Sequence, residues 1–227
     1  MYSAIILAGG TGSRMHRAVP KQFLALAGKP MILHTLERLE QIEDIDEIIV
    51  VCFPQYKDQL QMLIDAYMLK KDYKLVDGGE TRQQSAYNGV SVAKNENVII
   101  HEAARPFVTV QEFKALIEDE AENATYTVDI PFTVSVRSGN LIGGLLERDS
   151  LVNIQLPQKF KREPLLKAYK QAEKDGLTFT EDTSLLYYYT KCPIRVLEGT
   201  HNNIKITNPA DLLTGETIYR EYIVGRD

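Results

Sequence analysis

The first residues able to do chemistry follow an apolar run near the start of the chain, in the stretch IILAGGTGSRM (5–15). Two adjacent glycines, Gly9 and Gly10, end the run, and a third glycine and Arg14 follow within four residues. Lys21 adds a second cation to the same loop. Bare backbone amides beside an arginine and a lysine can bind a triphosphate, because a polyanion needs donors and positive charge together. The stretch therefore predicts a phosphate-binding loop.

Two common nucleotide-binding signatures do not fit this loop. A dinucleotide fold needs G-x-G-x-x-G after its first strand, whereas Gly10-Thr11-Gly12-Ser13-Arg14-Met15 ends in methionine, which argues against a dehydrogenase. A Walker A loop needs a glycine followed by lysine and then serine or threonine, and no glycine of this loop precedes a lysine. A tight turn that binds nothing stays open on the loop alone, since glycine-rich turns are common.

Strand-like apolar runs alternate with amphipathic segments through the first half of the chain. The runs are AIILAG (4–9), EIIVVCF (47–53), YKLVDGG (73–79) and NVIIHEA (97–103). Helical periodicity fills the gaps between them, as in TRQQSAYNGVSVA, where Thr81 is expected to cap the helix. This alternation predicts an α/β, Rossmann-like fold with a mostly parallel sheet and helices on both faces. Such sheets bind ligands beyond the carboxyl ends of their strands, where the glycine loop lies.

The pattern changes after about residue 128. Alternation of apolar and polar residues and a turn at Ser138-Gly139-Asn140 are typical of a protruding β-arm, which we expect at about 133–157. Helical periodicity then returns, followed by strands at PIRVLEG and NIKIT and a last helix from Pro209. No linker or internal repeat interrupts the chain, so we expect a single domain over 1–227.

Composition argues against several classes of function. The 227 residues carry a formal net charge of -5 at pH 7, whereas nucleic-acid binders normally show a basic excess. Cys52 and Cys192 form no CxxC pair and have no histidine cluster nearby, which indicates reduced thiols. No stretch has the length and apolarity of a membrane span. We therefore expect a cytoplasmic protein with neither a nucleic-acid partner nor a membrane partner.

Five later motifs follow the loop along the chain. They are DGGETRQQSAYNG (77–89), HEAARPF (101–107), LPQKF (156–160), FTEDTSLL (179–186) and NNIKITNPADL (202–212). Together with L-A-G-G-x-G-x-R-M-(x)4-P-K, and in this order, they resemble the cytidylyltransferases of the 2-C-methyl-D-erythritol 4-phosphate and ribitol 5-phosphate families. The resemblance covers essentially the whole chain. Each motif alone is weak evidence, and the ordered set is strong evidence.

The resemblance implies both a reaction and a site. CTP and a polyol phosphate would give a CDP-polyol and pyrophosphate, assisted by Mg²⁺, in a homodimer whose β-arms exchange between subunits. Catalysis would fall to Arg14, Lys21 and Lys205, and metal binding to Glu102. The other residues carried over divide between CTP, at Ala8, Gly9, Gly10, Gly79, Glu80, Ser85 and Ala103, and the polyol phosphate, at Arg105, Ser135, Arg148 and Thr180. Because Arg148 lies on the arm, it would reach the partner's site.

Some residues depart from the family pattern and leave alternatives open. Glu102 stands where those families have aspartate, and Glu80 where aspartate is frequent. LAGG is closer to the ribitol branch, whereas HEAARP is closer to the methylerythritol branch. The polyol therefore stays open, as does the pathway: isoprenoid, teichoic-acid-like polymer or capsule synthesis. Two further interpretations are a hexose-1-phosphate nucleotidyltransferase, although these are usually longer, and a non-catalytic nucleotide-binding homologue.

Overall fold

The computed structural model describes residues 1–10 and 20–224, and a seven-stranded sheet forms its centre. Within the described residues eleven strands form: β1 (Tyr2–Leu7), β2 (Ala25–Leu26), β3 (Lys29–Pro30), β4 (Ile45–Cys52), β5 (Asp72–Asp77), β6 (Asn97–Glu102), β7 (Ala124–Asp129), β8 (Ser135–Ser138), β9 (Leu141–Leu145), β10 (Val152–Lys161) and β11 (Arg195–Glu198). The central sheet has the order β11-β7-β10-β6-β1-β4-β5. Strand β10 is antiparallel to both its neighbours, and the other six strands are parallel to one another.

Helices cover both faces of this sheet. The described chain forms α1 (Met31–Glu40), α2 (Lys57–Ala66), α3 (Arg82–Ser91), α4 (Val110–Glu118), α5 (Arg162–Lys174), α6 (Asp182–Thr190) and α7 (Pro209–Ile218). Helices α1, α2 and α4 bury Leu36, Leu60 and Phe113 against one face. Helices α3 and α5 bury Val90 and Leu165 against the other, beside α6. The predicted α/β class is confirmed. As far as the structure describes the chain, no helix combines the length and apolarity that crossing a bilayer requires.

Helix α3 packs unusually close to the sheet. A Cβ atom on Gly89 would lie 2.5 Å from Cγ2 of Ile5 and 2.8 Å from Cγ2 of Val51, so this position has no room for a side chain. The helix begins where predicted, because the Thr81 hydroxyl accepts a hydrogen bond from the Gln84 amide at 3.0 Å. The cap and the close packing fix the first turn of α3 beside the carboxyl ends of β1 and β6.

The arm begins as a hairpin that is separate from the central sheet. Among the described strands, β8 and β9 pair only with each other, and they turn at Gly139, whose φ is +59°, as the sequence predicts. The predicted range of about 133–157 also includes residues that are not in the hairpin. Residues 152–157 belong to β10 of the central sheet, because the first part of that strand pairs with β7.

The predicted strand at NIKIT is wrong. Residues 203–207 form a loop that crosses the carboxyl edge of the sheet. The Ile206 amide donates to the Ala104 carbonyl at 2.8 Å, and the Asn203 side-chain amide donates to the Leu156 carbonyl at 2.7 Å. These contacts anchor the segment to other loops, whereas a strand needs a continuous ladder with a neighbouring strand. The loop carries Lys205 to the edge where the other predicted site residues lie.

Candidate active site

A cavity of about 360 Å³ opens at the carboxyl edge of the parallel strands. It brings together ten of the predicted site residues, which are Ala8, Gly9, Gly10, Lys21, Gly79, Glu80, Ser85, Glu102, Ala103 and Lys205. These residues come from the ends of β1 and β6, the start of α3 and two loops. Sequence motifs as far apart as Ala8 and Lys205 thus meet at one concave site.

The backbone after β1 forms one wall of the cavity. The Ala8 amide donates to the Val51 carbonyl at 2.8 Å, and the Ala8 carbonyl accepts from Nε2 of the buried Gln22 at 2.8 Å. Lys21 lies directly over this wall, since a Cβ atom on Gly10 would lie 3.2 Å from its Cε. Lys21 Nζ donates to the Ile206 carbonyl at 3.3 Å. A lysine ammonium thereby lies beside the backbone of Gly9 and Gly10 on one side of the cavity.

The opposite wall is the turn before α3. The Gly79 amide donates to Ser85 Oγ at 3.0 Å, and the same hydroxyl donates to the Thr81 carbonyl at 2.9 Å. The Glu80 amide donates to Oε1 of Gln84 at 2.9 Å. Ser85 therefore holds the glycine turn against its own helix, so its hydroxyl shapes this wall as well as lining it.

Glu102, the last residue of β6, carries the negative charge of the site. Its Oε1 accepts a hydrogen bond from Arg82 Nε at 3.1 Å, and its Oε2 lies 2.7 Å from Lys205 Nζ and 3.9 Å from Arg105 Nε. Burial alone would raise the pKa of Glu102, but Lys205 and Arg82 outweigh it and bring the pKa to about 2. Oε2 is thus paired with a lysine that lies on a loop and lines the same cavity. The carboxylate is ionised and borders the open space of the site.

Arg82 is a site residue that the predicted list lacks. Its guanidinium Nη2 lies 2.9 Å from Asp182 Oδ2 and 3.7 Å from Glu181 Oε2, while Nε bonds Glu102. Burial opposes the charge of Arg82, but the acidic neighbours, Asp182 first, raise its pKa above the usual range. The motif DGGETR contained the arginine, yet its partners on α6 lie about 100 residues later, so no local signal pointed to the contact.

The remaining predicted residues lie around or away from the cavity. Arg105 stands behind Glu102, and its Nη1 donates to the Asn203 carbonyl at 2.8 Å. Thr180 is exposed immediately before the acidic start of α6. Ser135 and the exposed Arg148 lie on the arm, and this chain does not bring them into the cavity. Arg14 lies outside the described residues.

Comparison with solved structures defines the class of protein. A 4-diphosphocytidyl-2C-methyl-D-erythritol synthase from Anaerococcus prevotii superimposes with a TM-score of 0.84, 25% identity and 96% coverage of each chain. The bifunctional IspDF from Campylobacter jejuni matches with a TM-score of 0.75 and 28% identity, over 93% of this chain and 53% of that one. With the cavity at the carboxyl edge of the sheet, these similarities identify an α/β nucleotidyltransferase.

Sequence comparison then gives the family. The family model IspD, described as 2-C-methyl-D-erythritol 4-phosphate cytidylyltransferase, matches residues 2–221. The enzyme of that name from Geobacillus kaustophilus is 37% identical over 220 residues, which is 96% of each protein. The chloroplastic enzyme from Oryza sativa is 33% identical over 224 residues, 96% of this chain and 74% of the relative. The chain therefore belongs to the 2-C-methyl-D-erythritol 4-phosphate cytidylyltransferase family, and the predicted family resemblance is confirmed.

Proposed function

We propose that the protein converts CTP and 2-C-methyl-D-erythritol 4-phosphate to the CDP-polyol and pyrophosphate. The observation that carries the proposal is the convergence of Lys21, Lys205 and Glu102 with the bare Ala8–Gly10 backbone on one cavity. Full-length similarity to enzymes named for methylerythritol phosphate supports this polyol over ribitol 5-phosphate. The reaction would belong to isoprenoid synthesis and take place in the cytoplasm.

The chemistry asks mainly for charge neutralisation and alignment. An oxygen of the polyol phosphate attacks the α-phosphorus of CTP, a new O–P bond forms, and the bond from that phosphorus to the pyrophosphate oxygen breaks. Both reactants are anions, and no proton has to move for the bonds to exchange. Cations held in fixed positions therefore lower the barrier by stabilising the charge that develops on the leaving pyrophosphate. Lys21 would act at the CTP phosphates, with Arg14, and Lys205 at the phosphate that attacks.

The backbone and the α3 turn would bind the nucleoside. Ala8, Gly9, Gly79 and Ala103 present main-chain atoms without bulky side chains, which lets a base and a ribose approach closely. Ser85 and Glu80 would complete this part of the site. The polyol phosphate would lie beyond Glu102, towards Arg105 and Thr180.

Glu102 is the residue that would hold Mg²⁺. It is ionised, and it lines the cavity together with Lys21 and Lys205. Residues 1–10 and 20–224 contain no cluster of three or more His, Cys, Asp and Glu side chains suited to a metal. Magnesium commonly uses one or two carboxylates together with substrate phosphates, so one glutamate fits if CTP supplies the rest. The ion, when bound, would offset phosphate charge.

The arm supports a homodimer as part of the proposal. Leu141, Ile142 and Leu145 expose 75%, 72% and 84% of their surface on the hairpin. Neighbouring exposed apolar side chains are typical of surfaces that another chain covers. Arg148 and Ser135 lie on the same arm, so exchange of arms would bring them to the partner's polyol-phosphate site. Light scattering should then give twice the mass of one chain, and a monomeric mass would contradict this part of the proposal.

The test is pyrophosphate release by the purified protein with CTP and Mg²⁺. Parallel reactions should contain methylerythritol 4-phosphate, ribitol 5-phosphate or no polyol. Release with methylerythritol 4-phosphate alone is the expected result, and release with ribitol 5-phosphate alone would overturn the choice of polyol. Silence with both, while calorimetry still detects CTP binding, would favour a non-catalytic homologue or another polyol phosphate.

A further inference from the structure

The guanidinium of Arg82 connects two parts of the proposed site that no backbone element joins. Nε bonds the carboxylate of Glu102 at the end of β6, and Nη2 contacts Asp182 and Glu181 at the start of α6. An arginine can do this because its fork presents donors in fixed, divergent directions. The segment before α6 carries Thr180, so one side chain ties the carboxylate to the predicted polyol-phosphate region.

The far side of this connection is itself held by buried hydrogen bonds. Oδ1 of Asp182, whose side chain is 2% exposed, accepts from the Tyr169 hydroxyl of α5 at 2.6 Å. Oε2 of Glu181 accepts from Nε2 of the buried Gln158 of β10 at 3.1 Å. Arg82 is thus anchored through residues on three regular elements, which is the type of support that keeps a functional group in place.

Lys205, the other close cation at Glu102, is held differently. It lies on the loop at 203–207 and 36% of its side chain is exposed, compared with 23% for Arg82. Its Nζ lines the cavity beside Glu102. If Lys205 turns towards a substrate phosphate, as the proposed function requires, Glu102 loses its closest cation. Arg82 also lines the cavity, but its guanidinium is held by three carboxylates, of Glu102, Glu181 and Asp182.

We propose that Arg82 is a positioning residue: anchored by Asp182, Glu181 and Tyr169, it holds the Glu102 carboxylate in place for Mg²⁺ while Lys205 engages substrate phosphate. The inference rests on the proposed function and deepens it. Since Glu102 would hold the metal, the loss of Arg82 would affect the metal-dependent part of CTP binding and the chemical step. Metal-independent binding of CTP by the backbone walls stays as it is.

The test uses Arg82→Lys, which keeps the charge but cannot reach Glu102 and Asp182 together. The expected result is a fall in kcat of about 10–100-fold, the usual cost of losing support around a metal ligand. In EDTA, calorimetry should give the same Kd for CTP with the variant as with the wild type. The gain in CTP affinity on adding Mg²⁺ should shrink by about tenfold. Arg220→Lys makes the same chemical change at an exposed arginine and should leave all three quantities unchanged.

Asp182→Asn and Tyr169→Phe carry the test if Arg82→Lys does not fold. Each should reproduce the selective loss of the Mg²⁺-dependent gain, Tyr169→Phe more weakly because it removes one hydrogen bond. A kcat within threefold of the wild type, or equal weakening of CTP binding with and without Mg²⁺, would overturn the inference. A wild type that binds CTP more tightly with Mg²⁺ but releases no pyrophosphate would contradict the proposed function alone, because the binding comparison needs no turnover.

Discussion

Two buried glutamates lie at opposite ends of the same parallel sheet and do different things. Glu47, near the amino end of β4, accepts from the Ser3 hydroxyl and the Lys94 amide and pairs with Lys74. Glu102, at the carboxyl end of β6, has three cations around it and lines an open cavity. The first carboxylate is held by groups of the fold, whereas the second also borders space that a ligand can enter.

The difference shows that burial and charge alone do not mark a functional carboxylate. A buried carboxylate destabilises a fold unless donors or cations compensate for its lost hydration. At Glu102 part of the compensation comes from Arg82 and Lys205, which also line an open cavity. Mutation of Glu47 or its partners should therefore mainly change the free energy of unfolding. Mutation of the cations that line the cavity should mainly change activity.

The largest expected effect is the loss of activity on removing Lys21 at the cavity, with Lys74 at the other end of the sheet as the control. Lys21→Ala should lower kcat by about 10²–10³-fold, since it removes a preorganised cation from the phosphate site. Lys74→Ala removes a lysine that pairs with Glu47, far from the cavity, and should leave kcat within twofold. Pyrophosphate release measures both. Equal losses of activity in the two variants would show that the ends of the sheet are not functionally distinct.

The next largest expected effect is a pH dependence of the free energy of unfolding, caused by His101 beside the cavity. Burial lowers the pKa of His101 to about 4, and its Nε2 donates to the Arg105 carbonyl at 3.0 Å. Between pH 6.5 and 4 the unfolded chain binds a proton that the folded chain does not, so stability falls as the pH falls through this window. The free energy of unfolding should drop by on the order of 3 kcal/mol from this residue.

Urea unfolding at pH 7, 6, 5 and 4 measures this dependence. His101→Gln, whose amide can still donate to the Arg105 carbonyl, should flatten the curve. His201→Gln replaces an exposed histidine and should leave the curve as in the wild type. An NMR titration in which His101 protonates near pH 6.5 in the folded protein would contradict the prediction directly.

Glu47→Gln tests the other end of the sheet with a smaller expected effect. The amide cannot accept all the donors that Glu47 satisfies, and Lys74 loses its charged partner. The cost should be about 2 kcal/mol, below the usual value for a fully buried pair, because Lys74 is partly exposed and can turn to water. Urea unfolding gives the cost. A change in kcat of more than about threefold in the folded variant would mean that this end also reaches the active site.

The smallest effect compares two helix caps. Thr81 caps α3 at the cavity, and Thr109 caps α4 in a capping box with Glu112. Thr81→Ala and Thr109→Ala should each lower the free energy of unfolding by about 1 kcal/mol. Thr81→Ala should also weaken CTP binding, since α3 forms a cavity wall, whereas Thr109→Ala should not. Calorimetry with CTP distinguishes the two variants. Similar Kd values would show that the Thr81 cap does not contribute to CTP binding.

Local pattern predicted most of the elements. The four apolar runs of the first half became β1, β4, β5 and β6, because a continuous apolar stretch is stable only when buried on both faces. Thr81 and Pro209 marked helix starts, since capping and the first helical turn depend on a few adjacent residues. Eight of the ten predicted residues that line the cavity do so because they end or follow a strand, or lie in the first turn of α3; Lys21 and Lys205 do not.

Contacts between distant segments were not predictable from such patterns. NIKIT alternates like a strand, but the segment forms hydrogen bonds with Ala104 and Leu156 and is the loop that carries Lys205. Arg82 is visible in its motif. Nothing near it in the sequence indicated that its partner would be Asp182, the first residue of α6. Periodicity records which face of an element is buried and says nothing of which charged side chains will meet across the fold.

The sequence by itself determined the α/β class, the glycine loop with its cations and the family, because these depend on short ordered motifs and on burial patterns within single elements. Tertiary structure alone decided that Glu47 is held by donors of the fold while Glu102 lines a cavity, and that Arg82 links β6 to α6. Both glutamates sit in similar apolar strands. Their difference arises from which distant donors the packing brings within about 3 Å, and hydrogen bonds and ion pairs are effective only at that range.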